Sequence, residues 1–414
     1  MRVLARYRDF RWLFVGSSVS LLGSSVTTVA LPLATVVYLH ASTVQVGLLG
    51  AAALLPQLLI GLPAGVWVDR MPYRRVLVIA NVVQMVLIGA VPALAVLNML
   101  ALWQLYVVVF LAGIASLFEA VASQSFTPSL VPREELLSAN SVLMASNGTV
   151  SSVGSTVGSA LVAVLAAPVA MIVDAVSFLF SGLCVARIGT PGPEPVSRPN
   201  RHLLRDIGEG LRAIVAQPLI RVVITTAALG AFAGQMQNVM LVYYIVRNLH
   251  LSAALAGVAI TIVGVTGVLT TFVTTRITRR IGPGPAFIFG MMTSAVSGVV
   301  LAVAGGPFIM VLVILVLAMV LRGAGPSLYG INQQTLRQTL ITPSLLSRVN
   351  ATWRFLVYGT QALGALVGGL LGAVDLRVTL VIGSVIMLIA GVMAFASPLR
   401  SLRQLPAPQT AANS

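Results

Sequence analysis

Twelve apolar runs, most of them twenty residues or longer, divide this chain. They cover 12–38, 44–68, 76–97, 102–124, 139–165 and 168–187, then 218–246, 253–276, 285–304, 307–330, 349–372 and 378–397. A helix rises about 1.5 Å per residue, so about 20 apolar residues cross the roughly 30 Å of a bilayer's hydrocarbon core. Lipid offers no hydrogen bonds to the backbone, so each run has to satisfy its own peptide groups as an α-helix. A soluble fold is excluded on the same count. With 58% of its 414 residues hydrophobic and 8% charged, the chain has too little polar surface to cover an apolar interior. The expected class is an all-α polytopic membrane protein with twelve transmembrane helices.

The basic charges give the orientation. The formal charge is +15, all 25 basic residues being arginine. They sit in short clusters between apolar runs rather than on one face, which argues against a nucleic-acid partner. With the N-terminus placed inside, 21 arginines fall in inner segments and only Arg247 and Arg377 in outer ones, while Arg322 and Arg354 lie within helices. Arginine is retained on the cytoplasmic side. Both termini are therefore expected in the cytoplasm, with the chain multi-pass in the plasma (inner) membrane. Residues Met1 to Arg11 carry four arginines and one acid and lead straight into the first run, as a retained helix rather than a cleaved signal. Cys184 is the single cysteine, so an intramolecular disulfide or a multi-cysteine metal site is ruled out.

The two halves repeat. A shift of 210 residues, without a gap, places Phe10-Arg11 on Ile220-Arg221 and Leu39-His40-Ala41-Ser42 on Leu249-His250-Leu251-Ser252. It also places Leu130-Val131 on Leu340-Ile341, Asn140 on Asn350, and Gly154 and Gly158 on Gly364 and Gly368. The expected organisation is a six-helix bundle over 1–188, a cytoplasmic linker over 189–216, a second six-helix bundle over 217–397 and a cytoplasmic tail over 398–414. The linker is marked by Gly189, Pro191, Gly192, Pro193 and Pro195. Leu203 to Val215 then spaces apolar residues helically, consistent with an amphipathic surface helix or with a frayed linker.

Between the second and third runs lies Gly61-Leu-Pro-Ala-Gly65-Val-Trp-Val-Asp69-Arg70-Met-Pro-Tyr-Arg74-Arg75. This stretch resembles the loop between helices two and three of the major facilitator superfamily, with Pro72 where a glycine is usual. The resemblance extends from about Phe10 to Ser397. Within it, Phe10-Arg-Trp-Leu-Phe-Val-Gly-Ser, Leu130-Val-Pro-Arg-Glu-Glu-Leu-Leu-Ser-Ala-Asn140 and Asp174-Ala-Val-Ser-Phe-Leu resemble the branch of macrolide and siderophore exporters. The resemblance implies two pseudo-symmetric six-helix bundles and alternating access. It implies a gating loop of Gly61, Gly65, Asp69, Arg70, Arg74 and Arg75. Gly65 would let helices approach closely, and Asp69 would engage the inner end of helix eleven, where Arg348 or Arg354 would add a charge-assisted bond.

The chain shows no enzyme constellation, phosphate loop or metal-ligand spacing. No cofactor is expected. The partners expected are a small-molecule substrate, protons and the lipid bilayer, with the protein a monomer. Polar residues inside helices are costly and therefore informative. The resemblance implies that helices one, four, seven and ten line a central cavity. On them lie Ser25 and Thr28, Gln235, Gln237, Asn238 and Tyr243, and Tyr329 and Asn332. The small hydroxyls equally suit helix–helix hydrogen bonding. Glu119 of helix four and Arg322 of helix ten, about 8 Å and a similar depth from the inner ends of their runs, suggest an inner gate that couples transport to proton entry. A fixed structural pair, or no contact, is the alternative. Asp174 near the outer end of helix six is read as structural. The chain departs from drug/proton antiporters in two places. Ser159 rather than proline follows Gly158, and helix four has no arginine. The function expected is export of a small, moderately apolar organic molecule such as a drug, siderophore or secondary metabolite. A facilitator or importer, and a non-transporting receptor or scaffold, are the alternatives.

Overall fold

A computed structural model describes residues 2–165, 167–190, 208, 212, 215–341 and 343–403. The expected amphipathic segment, Leu203 to Val215, falls almost wholly outside them. Twelve long helices follow in order: α1 Arg8–Leu33, α2 Thr43–Asp69, α3 Tyr73–Val96, α4 Leu102–Leu130, α5 Leu136–Val164, α6 Ile172–Ala186, α7 Pro218–Tyr243, α8 Ala253–Ile281, α9 Pro283–Ala302, α10 Phe308–Leu340, α11 Pro343–Gly372 and α12 Leu376–Ala396. Among the described residues, eleven helical segments are long and apolar enough to cross a membrane. The 29-residue α5 occupies the place of the twelfth.

The helices outrun the apolar runs that announce them. The runs expected for α4 and α10 stop at 124 and 330, whereas the helices continue to Leu130 and Leu340. Helix α11 begins at Pro343 rather than 349. Polar residues end an apolar run without ending a helix, because helix termination needs a breaker or a cap. The sixth span is also broken. A short turn at Ala167–Ala170 precedes α6, so the continuous run from 168 is not one helix.

The 210-residue repeat reaches the backbone. Helix α1 leaves through a π-helical turn at Ala34–Tyr38 and α7 through one at Tyr244–Asn248. Each is followed by a left-handed histidine, His40 at φ 51° and His250 at φ 53°. Few non-glycine residues adopt that region, though histidine is among those enriched there. The chain then restarts on a serine. Ser42 Oγ accepts from the Gln45 amide at 3.4 Å and Ser252 Oγ from the Leu255 amide at 3.3 Å. The glycine pairs repeat as well. A Cβ on Gly154 would lie 2.9 Å from the Leu22 carbonyl oxygen of α1 and one on Gly158 2.8 Å from Val26 Cα; in the second half, Gly364 and Gly368 have Phe232 and Met236 of α7 as closely. Small residues four apart allow α5 to seat on α1, and α11 on α7, backbone to backbone.

The chain forms two compact units. One comprises Met1–Ala41, Ala52–Asn200 and Ser252–Thr261; the other comprises Ser42–Ala51, Arg201–Leu251 and Ile262–Ser414. Each unit thus takes one helical end from the other half of the sequence. In the first, Ser159 of α5 donates to the Gly257 carbonyl at 2.7 Å. In the second, Gly47 meets Ala365 and Gly369 so closely that a Cβ would stand 2.7 Å from either. The core of the first unit gathers Phe10, Leu77, Phe126 and Ile188. The core of the second gathers Val223, Phe287, Met291 and Leu336.

Candidate transport site

In each unit a charged residue on the fourth helix is held by a neutral amide. In the first unit, Gln84 of α3 donates to Glu119 Oε2 of α4 at 2.7 Å. In the second, Arg322 of α10 donates through Nη1 to Gln237 Oε1 of α7 at 3.1 Å. Gln237 is itself fixed, its Nε2 donating to the Leu380 carbonyl at 2.9 Å and to Ser384 Oγ at 3.0 Å on α12.

Counted from the ends of their own helices, the two charges stand at different distances, unlike the similar depths counted from the apolar runs. Leu130 and Leu340 are equivalent in the repeat and end α4 and α10. Glu119 lies eleven residues before the first and Arg322 eighteen before the second. The difference is about 10 Å along the helix axes. The ends of the apolar runs are not the ends of the helices, so depths counted from the runs mislead.

Asp174 is a buried acid of a different kind, at 1% exposure. Its carboxylate accepts from Ser24 at 3.2 Å, Thr27 at 2.5 Å and Ser177 at 3.3 Å. Three hydroxyls on two helices tie α1 to α6 there. Of the four α1 hydroxyls between 24 and 28, Ser24 and Thr27 rather than Ser25 and Thr28 are engaged across helices. Ser25 is buried, donates to the Leu21 carbonyl at 2.8 Å and packs on Gly154. Thr28 is exposed and donates to the Ser24 carbonyl at 2.9 Å.

The other expected cavity residues divide similarly. Asn332 is buried, accepting from Thr278 at 3.0 Å and donating to the Leu328 carbonyl at 2.9 Å. Ser25, Gln237 and Asn332 therefore have protein partners. Gln235, Tyr243 and Tyr329 are half-buried, and Asn238 is exposed. Tyr329 meets Phe287 edge to face with centroids 6.2 Å apart. A groove of about 270 Å³ between α8, α9 and α10 is lined by Leu269, Phe289, Leu328 and other mainly apolar residues. None of the expected cavity residues lines it.

In the loop between α2 and α3, Asp69 Oδ1 accepts from Tyr73 Oη at 3.1 Å. Arg74 donates to the Ala186 carbonyl at the end of α6. Arg70 and Arg75 are exposed, as is Arg354 on α11. Gly61 has only Gln57 within reach of a Cβ, and a Cβ on Gly65 would meet nothing within 4 Å. The close helix approach expected at Gly65 is absent here; it occurs instead at Gly154, Gly158, Gly364 and Gly368.

Gln84 is the polar partner that the sequence reading passed over. Its signal was present: Asn81 and Gln84 are the only amides in the third apolar run, and an intramembrane amide needs a partner.

Comparison with known proteins agrees with this architecture. A family model described as transmembrane secretion effector, within the major facilitators, matches residues 4–412. The chain is 25% identical over 433 residues to the enterobactin exporter EntS of Escherichia coli O127:H6, covering 100% of this chain and 98% of that protein. It is also 25% identical over 435 residues to the EntS of Citrobacter koseri, covering 98% and 96%. In fold it resembles a point mutant of the nucleoside transporter NupG, with a TM-score of 0.79 at 12% identity over 94% of this chain and 99% of that one. It resembles a bacterial homologue of the iron transporter ferroportin in its inward-facing state, with a TM-score of 0.74 at 18% identity over 95% and 99%. The match across nearly the whole chain, on a twelve-helix frame whose halves repeat down to their π turns, makes this protein a member of the major facilitator superfamily, in the family of transmembrane secretion effectors.

Proposed function

We propose that this chain is a secondary transporter that exports a small, moderately apolar organic molecule, a siderophore or similar secondary metabolite, by alternating access coupled to proton entry. The observation that carries the reading is the full-length match to secretion effectors, with relatives named as exporters of enterobactin. The charge distribution supports the orientation, with both termini and the linker in the cytoplasm. Reporter tags at the N-terminus, the C-terminus and within Gly192–Asn200 should all report the cytoplasm; a periplasmic signal from any one overturns it.

Glu119 is the proton-carrying residue in this proposal. A group that exchanges protons needs a partner that it can release. Glu119 has one amide partner, whereas the Asp174 carboxylate has three hydroxyl donors. Arg322 is then a fixed charge, braced by Gln237, that favours anionic or electron-rich groups near it. The residues left to contact substrate are Thr28, Gln235, Asn238, Tyr243 and Tyr329. The gating loop keeps the role that the family resemblance gives it, with Asp69, Arg70, Arg74 and Arg75 as its charged members and Arg354 of α11 at the inner gate.

The test is accumulation of a catecholate siderophore and of a fluorescent amphiphile in cells with and without the protein. Export predicts lower accumulation with the protein, reversed by an uncoupler. Higher accumulation with the protein identifies an importer or facilitator. Equal accumulation of every substrate tried favours the receptor or scaffold alternative.

A further inference from the structure

The C-terminal end of α10 holds a buried cation that the transport reading does not use. Arg337 is only 8% exposed, and its Nε and Nη1 have no hydrogen-bond partner among the described residues. One face of the guanidinium lies over the Trp353 ring of α11, with Cζ 3.9 Å from the centroid. Gln333, one turn earlier on the same helix face, is 5% exposed, and its Nε2 is likewise unpartnered. The Trp353 indole nitrogen is unpartnered too.

Four unpartnered donor atoms thus lie on the turns of α10 and α11 that Arg337 and Trp353 bring together, and one unpartnered acceptor, Asn350 Oδ1, lies one turn before Trp353 on α11. Burying such a group without a partner is unfavourable, and a charged one more so. The cation–π contact occupies the flat face of the guanidinium and leaves the N–H bonds of Nε and Nη1 unused. Nor does the local sequence supply an acid. Residues 331–360 contain Arg337, Arg348 and Arg354 and no Asp or Glu.

The first half shows that the fold does not require this arrangement. The repeat places Ser123, Thr127 and Leu143 where Gln333, Arg337 and Trp353 stand. There Thr127 donates to the Ser123 carbonyl at 2.8 Å, and Phe126, Leu130 and Leu143 pack as an apolar cluster. The second half has the same helical frame with donors in place of apolar packing. Trp353 is anchored from behind by Ile220, Ile224, Ile341 and Val349, so the cluster has a firm floor.

An excess of donors around a buried cation fits a ligand that only accepts. We infer that Gln333, Arg337 and Trp353 form a receptor for one oxyanion, a phosphate or carboxylate supplied from outside the chain. Arg337 lies three residues from the end of α10, about 5 Å along the helix. That is a depth which a lipid headgroup or a dissolved anion can reach. The leaflet involved rests on the topology proposed above; the chemistry does not.

The test uses the purified full-length protein and reads binding as thermal stabilisation. One arm titrates inorganic phosphate against chloride at constant ionic strength. The other compares phosphatidylcholine discs with and without phosphatidylglycerol. Wild type should be stabilised by at least one of the two. Stabilisation by phosphatidylglycerol alone assigns the site to a lipid headgroup; stabilisation by phosphate as well assigns it to a free oxyanion. Arg337→Gln should weaken the apparent affinity about tenfold to a hundredfold, with Arg337→Lys in between. Should Arg337→Gln fail to fold, Gln333→Leu replaces it, with a several-fold loss expected. No stabilisation of wild type in either arm, or equal stabilisation of wild type and variant, overturns the inference. Transport is not part of the readout, so failure here leaves the export reading intact.

Discussion

Arg322 donates to Gln237 at 3.1 Å, and the same Gln237 amide is held by the Leu380 carbonyl and Ser384 of α12. A cation on α10 is thus braced through α7 onto α12. Gln237→Leu removes the acceptor and leaves a charge inside the helical bundle. Hydrogen bonds to charged groups are worth about 1.5–3 kcal/mol. We expect Gln237→Leu to lower stability by about 2 kcal/mol, read as the unfolding midpoint in detergent. Gln237→Glu, which keeps an acceptor there, should be milder. Equal stability of wild type and Gln237→Leu would show that Arg322 does not depend on this amide.

The glycines make opposite predictions at two sites. At Gly364 an added Cβ would run into the Phe232 carbonyl oxygen far inside contact distance, so α11 and α7 must part. Overpacking of that kind costs about 1–3 kcal/mol. Gly364→Ala should therefore reduce the yield of folded protein and its melting temperature. Gly65→Ala, with nothing within 4 Å, should leave both unchanged. A reversed order would contradict the packing described for these helices.

Asp69 ends α2 and accepts from Tyr73. An asparagine there keeps an oxygen for that hydroxyl but loses the charge. Asp69→Asn should accordingly insert and fold like wild type while transport slows about tenfold or more, as expected for loss of a charge-assisted contact of about 1.5–3 kcal/mol. Transport at the wild-type rate in a correctly inserted variant would remove Asp69 from the gating mechanism.

The helices and their repeat were legible because lipid imposes a length on every span and because glycine, histidine and serine landmarks recur at a constant shift. What the sequence concealed was direction. Neighbouring residues on a helix point about 100° apart, so Ser24 and Thr27 reach Asp174 while Ser25 and Thr28 do not, and all four look alike in one dimension. Depth was concealed for another reason. The last turns of α4 and α10 are polar yet helical, so apolar runs understate how far each charge lies from its helix end. That Gln84 pairs with Glu119, and that Arg337 Nε and Nη1 have no hydrogen-bond partner among the described residues, depend on tertiary packing that no local pattern encodes.

Glu119 stands at the centre of the account, as the acid whose proton drives export. Purified protein in liposomes, assayed for substrate transport driven by an imposed pH gradient and for substrate exchange without one, tests this most directly when Glu119→Gln is compared with wild type. The account predicts that the variant loses gradient-driven transport and retains exchange. Gradient-driven transport at the wild-type rate in Glu119→Gln would contradict it.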